Sequence, residues 1–92
     1  MIILGISAFY HDSSATIIKD NEIIASAQEE RFTRIKHDNS FPLNSIDYCL
    51  NSSQIQLSEI DEVIYYENPN IKLFRILKSN FNQKNFLNLM QI

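Results

Sequence analysis

The sequence predicts an α/β domain, and three observations carry that expectation. Ile2-Ile3-Leu4-Gly5-Ile6 is a short, continuous apolar run, the mark of a strand buried on both faces. Ala15-Thr16-Ile17-Ile18 is a second run, rich in β-branched residues. A helical apolar spacing after Pro42 is followed by Glu62-Val63-Ile64-Tyr65-Tyr66, and this helix-then-strand step is that of a crossover adding a strand beside the first.

The first strand runs from Ile2 to about Ser7, and Gly5 leaves room there for a ligand or a neighbouring strand, or simply for packing. The second runs from about Ser14 to Lys19. Asp20-Asn21 then makes a two-residue turn, because both side chains tolerate the left-handed conformation. Glu22 opens a third strand through Ala27, which completes an antiparallel meander. Glu29 to Asn39 is charged without a clean period and reads as a loop or short helical turn over the sheet end.

Phe41-Pro42 starts a helix, with Pro42 suited to the first turn and Leu43, Ile46, Cys49 and Leu50 on one apolar face. Asn51-Ser52-Ser53 ends it. Ser58 with Asp61 resembles a capping box before the fourth strand. Asn68-Pro69-Asn70 breaks the chain. Ile71, Phe74, Leu77 and Phe81 are spaced for a helix, and an apolar pattern continues through Met90 without a stop signal. The expected organisation is therefore a sheet-forming part, residues 1–67, and a helical tail, residues 68–92.

Bulk composition narrows the function. Ninety-two residues allow one small domain at most. With 45% hydrophobic and 21% charged residues, the chain is of ordinary globular composition. A net charge of −3 argues against a nucleic-acid module. All eleven acidic residues lie in 1–67, whereas 68–92 carries Lys72, Arg75, Lys78 and Lys84 and no acid. The lone Cys49 excludes an internal disulfide and fits a cytoplasmic setting. No apolar segment approaches the ~20 residues that span a bilayer. With Gly5 the only glycine, no Gly-rich phosphate loop exists.

The chemistry-bearing residues sit between the first two strands and after the third. Tyr10, His11, Asp12, Ser13 and Ser14 place polar side chains at a strand end, where open α/β sheets bind ligands. His11 titrates near working pH and suits proton transfer. Taken alone, a loop histidine bonded to a carboxylate such as Asp12 explains it as simply, and turn hydroxyls explain Ser13 and Ser14. Arg31, Arg34 and Lys36 offer an anion-binding patch, since the guanidinium fork suits phosphate. The plain alternative is a solvated charged loop paired with Glu29 and Glu30. His37 is a further ligand candidate or a surface histidine.

GISAFYHDSSA, AQEERFTRIKHD and FPLNSIDYCL, in this order and spacing, resemble the start of the O-carbamoyltransferases that modify antibiotics and nodulation factors. The likeness covers roughly the first two thirds of the chain. It implies the fold of an actin- or hexokinase-like ATPase domain, present here in part. It further implies that carbamoyl phosphate and ATP form a carbamoyladenylate in a YrdC-like domain, and that the actin-like domain passes the carbamoyl group to an acceptor hydroxyl, often of a sugar. Under this resemblance His11 is a general base or charge stabiliser and Asp12 its orienter or a substrate ligand. Ser13, Ser14, Arg31, Arg34, Lys36 and His37 bind substrate.

Related domains hold a divalent metal through an H-x-x-x-H pair and later aspartates. His11 and His37 do not make that spacing, so the expectation is that this chain holds no metal ligand. Family members run to several hundred residues, so the chain reads as a fragment, inactive alone. Two alternatives remain: a kinase or ATPase of the same fold, against which the absent Asp-x-Gly of the first strand counts, or a non-catalytic remnant whose apolar tail seeks a partner chain.

Overall fold

The computed structural model describes residues 1–9, 12–66 and 73–77. The first three strands, β1 (Ile2–Ser7), β2 (Ser14–Lys19) and β3 (Glu22–Gln28), form the expected antiparallel meander. Leu4, Ile6, Ala15, Ile17 and Ala25 all turn to one face and are buried there. Asp20 and Asn21 take φ of 50° and 70°, so the β2–β3 link is a two-residue turn with both central residues left-handed. The β2–β3 register shifts between Ile17 and Ile18, a bulge that leaves Ile23 70% exposed on the sheet edge.

A four-residue helix, α1 (Glu30–Thr33), follows β3, and a loop leads to α2 (Leu43–Ser53). Ile46 and Cys49 of α2 join the sheet's buried residues in one core with Phe41, Ile55, Ile60, Val63 and Tyr65. Burying each large aliphatic side chain contributes about 1.5–3 kcal/mol. Pro42 stands at the N-cap rather than within the first turn, and Leu43 faces solvent rather than the core. The apolar stripe of α2 is thus narrower than its sequence spacing implied.

A 3-10 turn, Leu57–Glu59, leads into β4 (Glu62–Tyr66). Its capping box pairs Gln56 with Glu59, not Ser58 with Asp61. Asp61 has other work: its amide donates to the Ile2 carbonyl and its carboxylate accepts the Ile2 amide, both at 2.8 Å. This reciprocal pair aligns the starts of β1 and β4, which run parallel as the crossover pattern predicted.

β5 (Leu73–Leu77) pairs antiparallel with β4 and completes a five-stranded mixed sheet in the order β3-β2-β1-β4-β5. This corrects the helical tail expected over 68–92. Four apolar residues around Arg75 fit either period, and the open edge of β4, offering unpaired backbone groups, decides for a strand. The other expected tail residues, 68–72 and 78–92, lie outside the described residues. A Cβ at Gly5 would meet only the Thr16 carbonyl, at 3.8 Å, an ordinary contact, so the neighbouring strand does not require that glycine.

Candidate functional site

The β1–β2 loop leaves the C-terminal end of β1, beside the C-terminal end of its parallel neighbour β4. That is the side of an open α/β sheet where crevices form. The loop is pinned at both ends to one segment. The Phe9 amide donates to the Asn39 carbonyl and the Ser13 amide to the Asp38 carbonyl, both at 2.8 Å. The Ser13 carbonyl in turn accepts the Glu29 amide at 2.8 Å. Phe9 itself has φ 63°, a costly conformation for a non-glycine residue, and its ring lies against Phe41 with centroids 6.3 Å apart.

Two buried carboxylates build the frame around this loop. Glu29, 2% exposed, reaches the first turn of α2. One oxygen accepts the Ser45 amide and hydroxyl, both at 2.9 Å; the other accepts the Asn44 side chain at 2.8 Å and the Asn44 amide at 3.3 Å. An acid at a helix N-terminus satisfies amides that have no partner within the helix and complements the helix dipole. Asp38, 6% exposed, accepts the Thr33 hydroxyl at 2.6 Å, the Ser40 hydroxyl at 2.6 Å and the Ser40 amide at 2.9 Å. The Ser40 hydroxyl first, then that of Thr33, holds the Asp38 carboxyl below its ordinary range.

The residues named from sequence are distributed as follows. His11 lies outside the described residues. Asp12 has one oxygen engaged, with Oδ1 3.0 Å from Nδ1 of His37. His37 is held in turn, with φ 56° and its amide donating to Glu30 Oε1 at 2.6 Å. Ser13 is 1% exposed, and its hydroxyl has no hydrogen-bond partner among the described residues. Ser14 opens β2. Arg31, Arg34 and Lys36 are exposed, and among the described residues no ion pair joins them to Glu29 or Glu30. Glu29 instead faces inward. Arg31 lines an open groove of about 420 Å³ with Ser26, Ala27, Gln28 and Glu30.

Asp12, Glu30 and His37 bring ligand atoms within 4.8 Å of one another. Two carboxylates and an imidazole are a possible cation set. Here, however, His37 Nδ1 engages Asp12 and Glu30 Oε1 engages the His37 amide, so the trio satisfies itself. Nor does it match the paired histidines and later aspartates of the metal-holding pattern. Sequence reasoning missed Glu29 and Asp38 as the organising carboxylates. The Asp38-Asn39-Ser40 spacing, typical of an Asx turn, was the signal available for Asp38; Glu29 offered none beyond its place in a charged run.

Among the described residues, no helix is long and apolar enough to cross a membrane. The family described as Carbamoyltransferase N-terminus matches residues 2–87. Uncharacterized protein sll1178 of Synechocystis sp. is 53% identical over 77 residues, which are 84% of this chain and 12% of that protein. Nodulation protein NolNO of Sinorhizobium fredii is 43% identical over 76 residues, 79% of this chain and 11% of the relative. A 19.2 kDa protein of Rhizobium etli is 47% identical over 60 residues, 65% of this chain and 35% of its own. The chain thus spans about a tenth of the length of the first two relatives. With the match running almost from end to end, the chain belongs to the carbamoyltransferase N-terminus family.

Proposed function

We propose that this chain forms the first part of an actin-like domain that transfers a carbamoyl group to an acceptor hydroxyl. The observation that carries the reading is the family match over residues 2–87. In support, the β1–β2 loop stands at the C-terminal ends of the two parallel strands. In the reaction, an acceptor oxygen attacks the carbamoyl carbon of a carbamoyladenylate. The bond to the adenylate oxygen breaks, AMP leaves, and the hydroxyl proton passes to a base. His11 is that base, an imidazole whose ordinary pKa is matched to neutral working conditions.

Asp12 orients the imidazole of His37 beside that loop, and the pair presents a donor to a substrate oxygen. The Ser13 hydroxyl, without a hydrogen-bond partner among the described residues, is a further donor near the same loop. Arg31, Arg34 and Lys36 supply exposed positive charge for the adenylate phosphate. Carbamoyl phosphate, ATP and a hydroxyl acceptor are the substrates. A YrdC-like domain outside this chain forms the adenylate, and metal ligands lie outside this chain as well. The setting is the cytoplasm. On this reading the 92-residue chain is inactive alone.

The test grafts the chain in place of the matching segment of a full-length family member with measured carbamoyl transfer from carbamoyl phosphate and ATP. Transfer should survive the graft and fall by about 10²–10⁴-fold with His11→Asn, the range for loss of a general base. Undiminished transfer with His11→Asn would remove His11 from the chemistry. Transfer by the isolated chain would overturn its assigned inactivity.

A further inference from the structure

We propose that Asp38 is a positioning residue for Phe9, Asp12 and Ser13 of the β1–β2 loop, acting on Phe9 and Ser13 through two consecutive backbone carbonyls. The inference rests on the transfer-site reading above for its functional meaning, but its geometry stands apart from it. Residues 10–12 are bracketed by two hydrogen bonds, Phe9 N–H to Asn39 O and Ser13 N–H to Asp38 O, each 2.8 Å. Both acceptors belong to the segment between α1 and α2, which has no strand or helix of its own. That segment must be fixed by side chains, and the Asp38 carboxylate is what fixes it.

Each oxygen of Asp38 has its own task. Oδ2 takes the Thr33 hydroxyl, which ties the segment back to the end of α1. Oδ1 takes the amide and hydroxyl of Ser40, which closes the turn through Asn39. The Asp38 amide bonds the Ile35 carbonyl at 3.1 Å, so the chain is doubled back at His37. Two hydroxyls and one backbone amide need acceptors, and only an ionised carboxylate meets all three with both oxygens. An asparagine would set its NH₂ against either the Thr33 hydroxyl or the Ser40 pair.

The same doubling back places His37 against Asp12 at 3.0 Å and gives its amide to Glu30. The carboxylate therefore sets three things together: the two loop anchors, the turn at His37, and the Asp12–His37 pair. It touches no reacting group. Its influence reaches the loop through the Asp38 and Asn39 carbonyls and through the His37 ring on Asp12. Phe9 shows that the anchoring works against local preference, since a left-handed non-glycine residue persists only where its surroundings hold it.

The test uses amide hydrogen exchange and nuclear Overhauser contacts on the ¹⁵N-labelled chain, without substrate. Asp38→Asn should lower protection at Phe9 and Ser13 together, by about ten- to a hundredfold, while the β1–β2 ladder amides keep theirs. The contact between the His37 ring and the Asp12 side chain should vanish. Thr33→Val should do the same in part, and Thr33→Ser should restore both signals. Ile17→Ala is the control, because a generic loss of stability should lower protection across the sheet and leave the His37–Asp12 contact in place. If Asp38→Asn does not fold, Thr33→Val and Ser40→Ala carry the test.

Protection at Phe9 and Ser13 that is unchanged, or that falls only in step with the ladder, overturns the proposal. Because no turnover is read, failure of the carbamoyl-transfer reading would leave these signals untouched.

Discussion

Replacing Glu29 by Gln tests whether the end of β3 and the start of α2 are joined by a charge rather than by shape. Gln keeps nearly the same volume and one oxygen, so the two 2.9 Å bonds from Ser45 can survive. Its NH₂ then faces the Asn44 amide and side-chain nitrogen, and two bonds become donor–donor contacts. A buried donor left unpaired costs about 1–3 kcal/mol. Loss of the anion at the helix N-terminus costs about 0.3–1 kcal/mol more. The expected loss is about 2 kcal/mol, or about 8–16 °C in Tm for a domain of this size. Glu29→Ala, which removes all four acceptor contacts, should cost about 4 kcal/mol.

The measurement is urea unfolding followed by far-ultraviolet circular dichroism, read as a midpoint shift at constant slope. Glu30→Gln is the reference, since Glu30 is half-buried and its one bond to the His37 amide survives on the remaining oxygen; it should stay within about 0.5 kcal/mol of the parent. Glu29→Gln indistinguishable from Glu30→Gln would refute the capping argument. So would a Glu29→Ala, Ser45→Ala cycle in which the two losses simply add, because directly bonded partners must couple.

Three further outcomes follow from the titrating groups. The depressed pKa of Asp38 contributes stability that is present above the ordinary aspartate value of 3.8 and lost as pH falls through the native one; acid titration of Asp38→Asn should show a shallower loss below about pH 4 than the parent does. The N-terminal ammonium is raised above 8.0 by its bond to Asp20, so its contribution is present below pH 8 and lost as pH rises through the folded value. An NMR titration should return it towards 8.0 in Asp20→Asn, and no change would break the assignment. Burial pushes the Cys49 thiol up and leaves it 0% exposed, so an aromatic disulfide reagent should modify the chain only as fast as it opens. Modification at the rate of a free thiol would show that the core does not close over it.

The first four strands and α2 were legible because each announces itself locally. The meander follows from two apolar runs and a turn whose residues accept positive φ. β4 follows from its own run, and its parallel place beside β1 from the crossover rule. β5 was not legible. Leu73 to Leu77 satisfies a helical spacing as well as a strand, and only the free edge of β4, set by residues far earlier in the chain, separates the two.

The site divides in the same way. His37 and Asp12 were both named, yet their pairing required the doubling back around Asp38, a contact across 25 positions that no window of sequence contains. Glu29 was read as one member of a solvated charge run. Its burial depends on α2 arriving fifteen residues later with its amides pointed back. Charge patterns in the chain specify what a residue can do, and packing chooses the partner with which it does it.

The order β3-β2-β1-β4-β5 puts the first strand of the chain in the middle of the sheet. Among the described strands, only β1 pairs towards both halves: β2 and β3 lie on one side of it, β4 and β5 on the other. Removing Ile2–Ser7 would therefore not shorten an edge. It would cut the sheet into two hairpins, and two-stranded ribbons are marginal in water by themselves. β1 thus waits about sixty positions for the partner that completes its pairing, so docking of β4 onto β1 should be the slow, long-range closure in the assembly of this sheet.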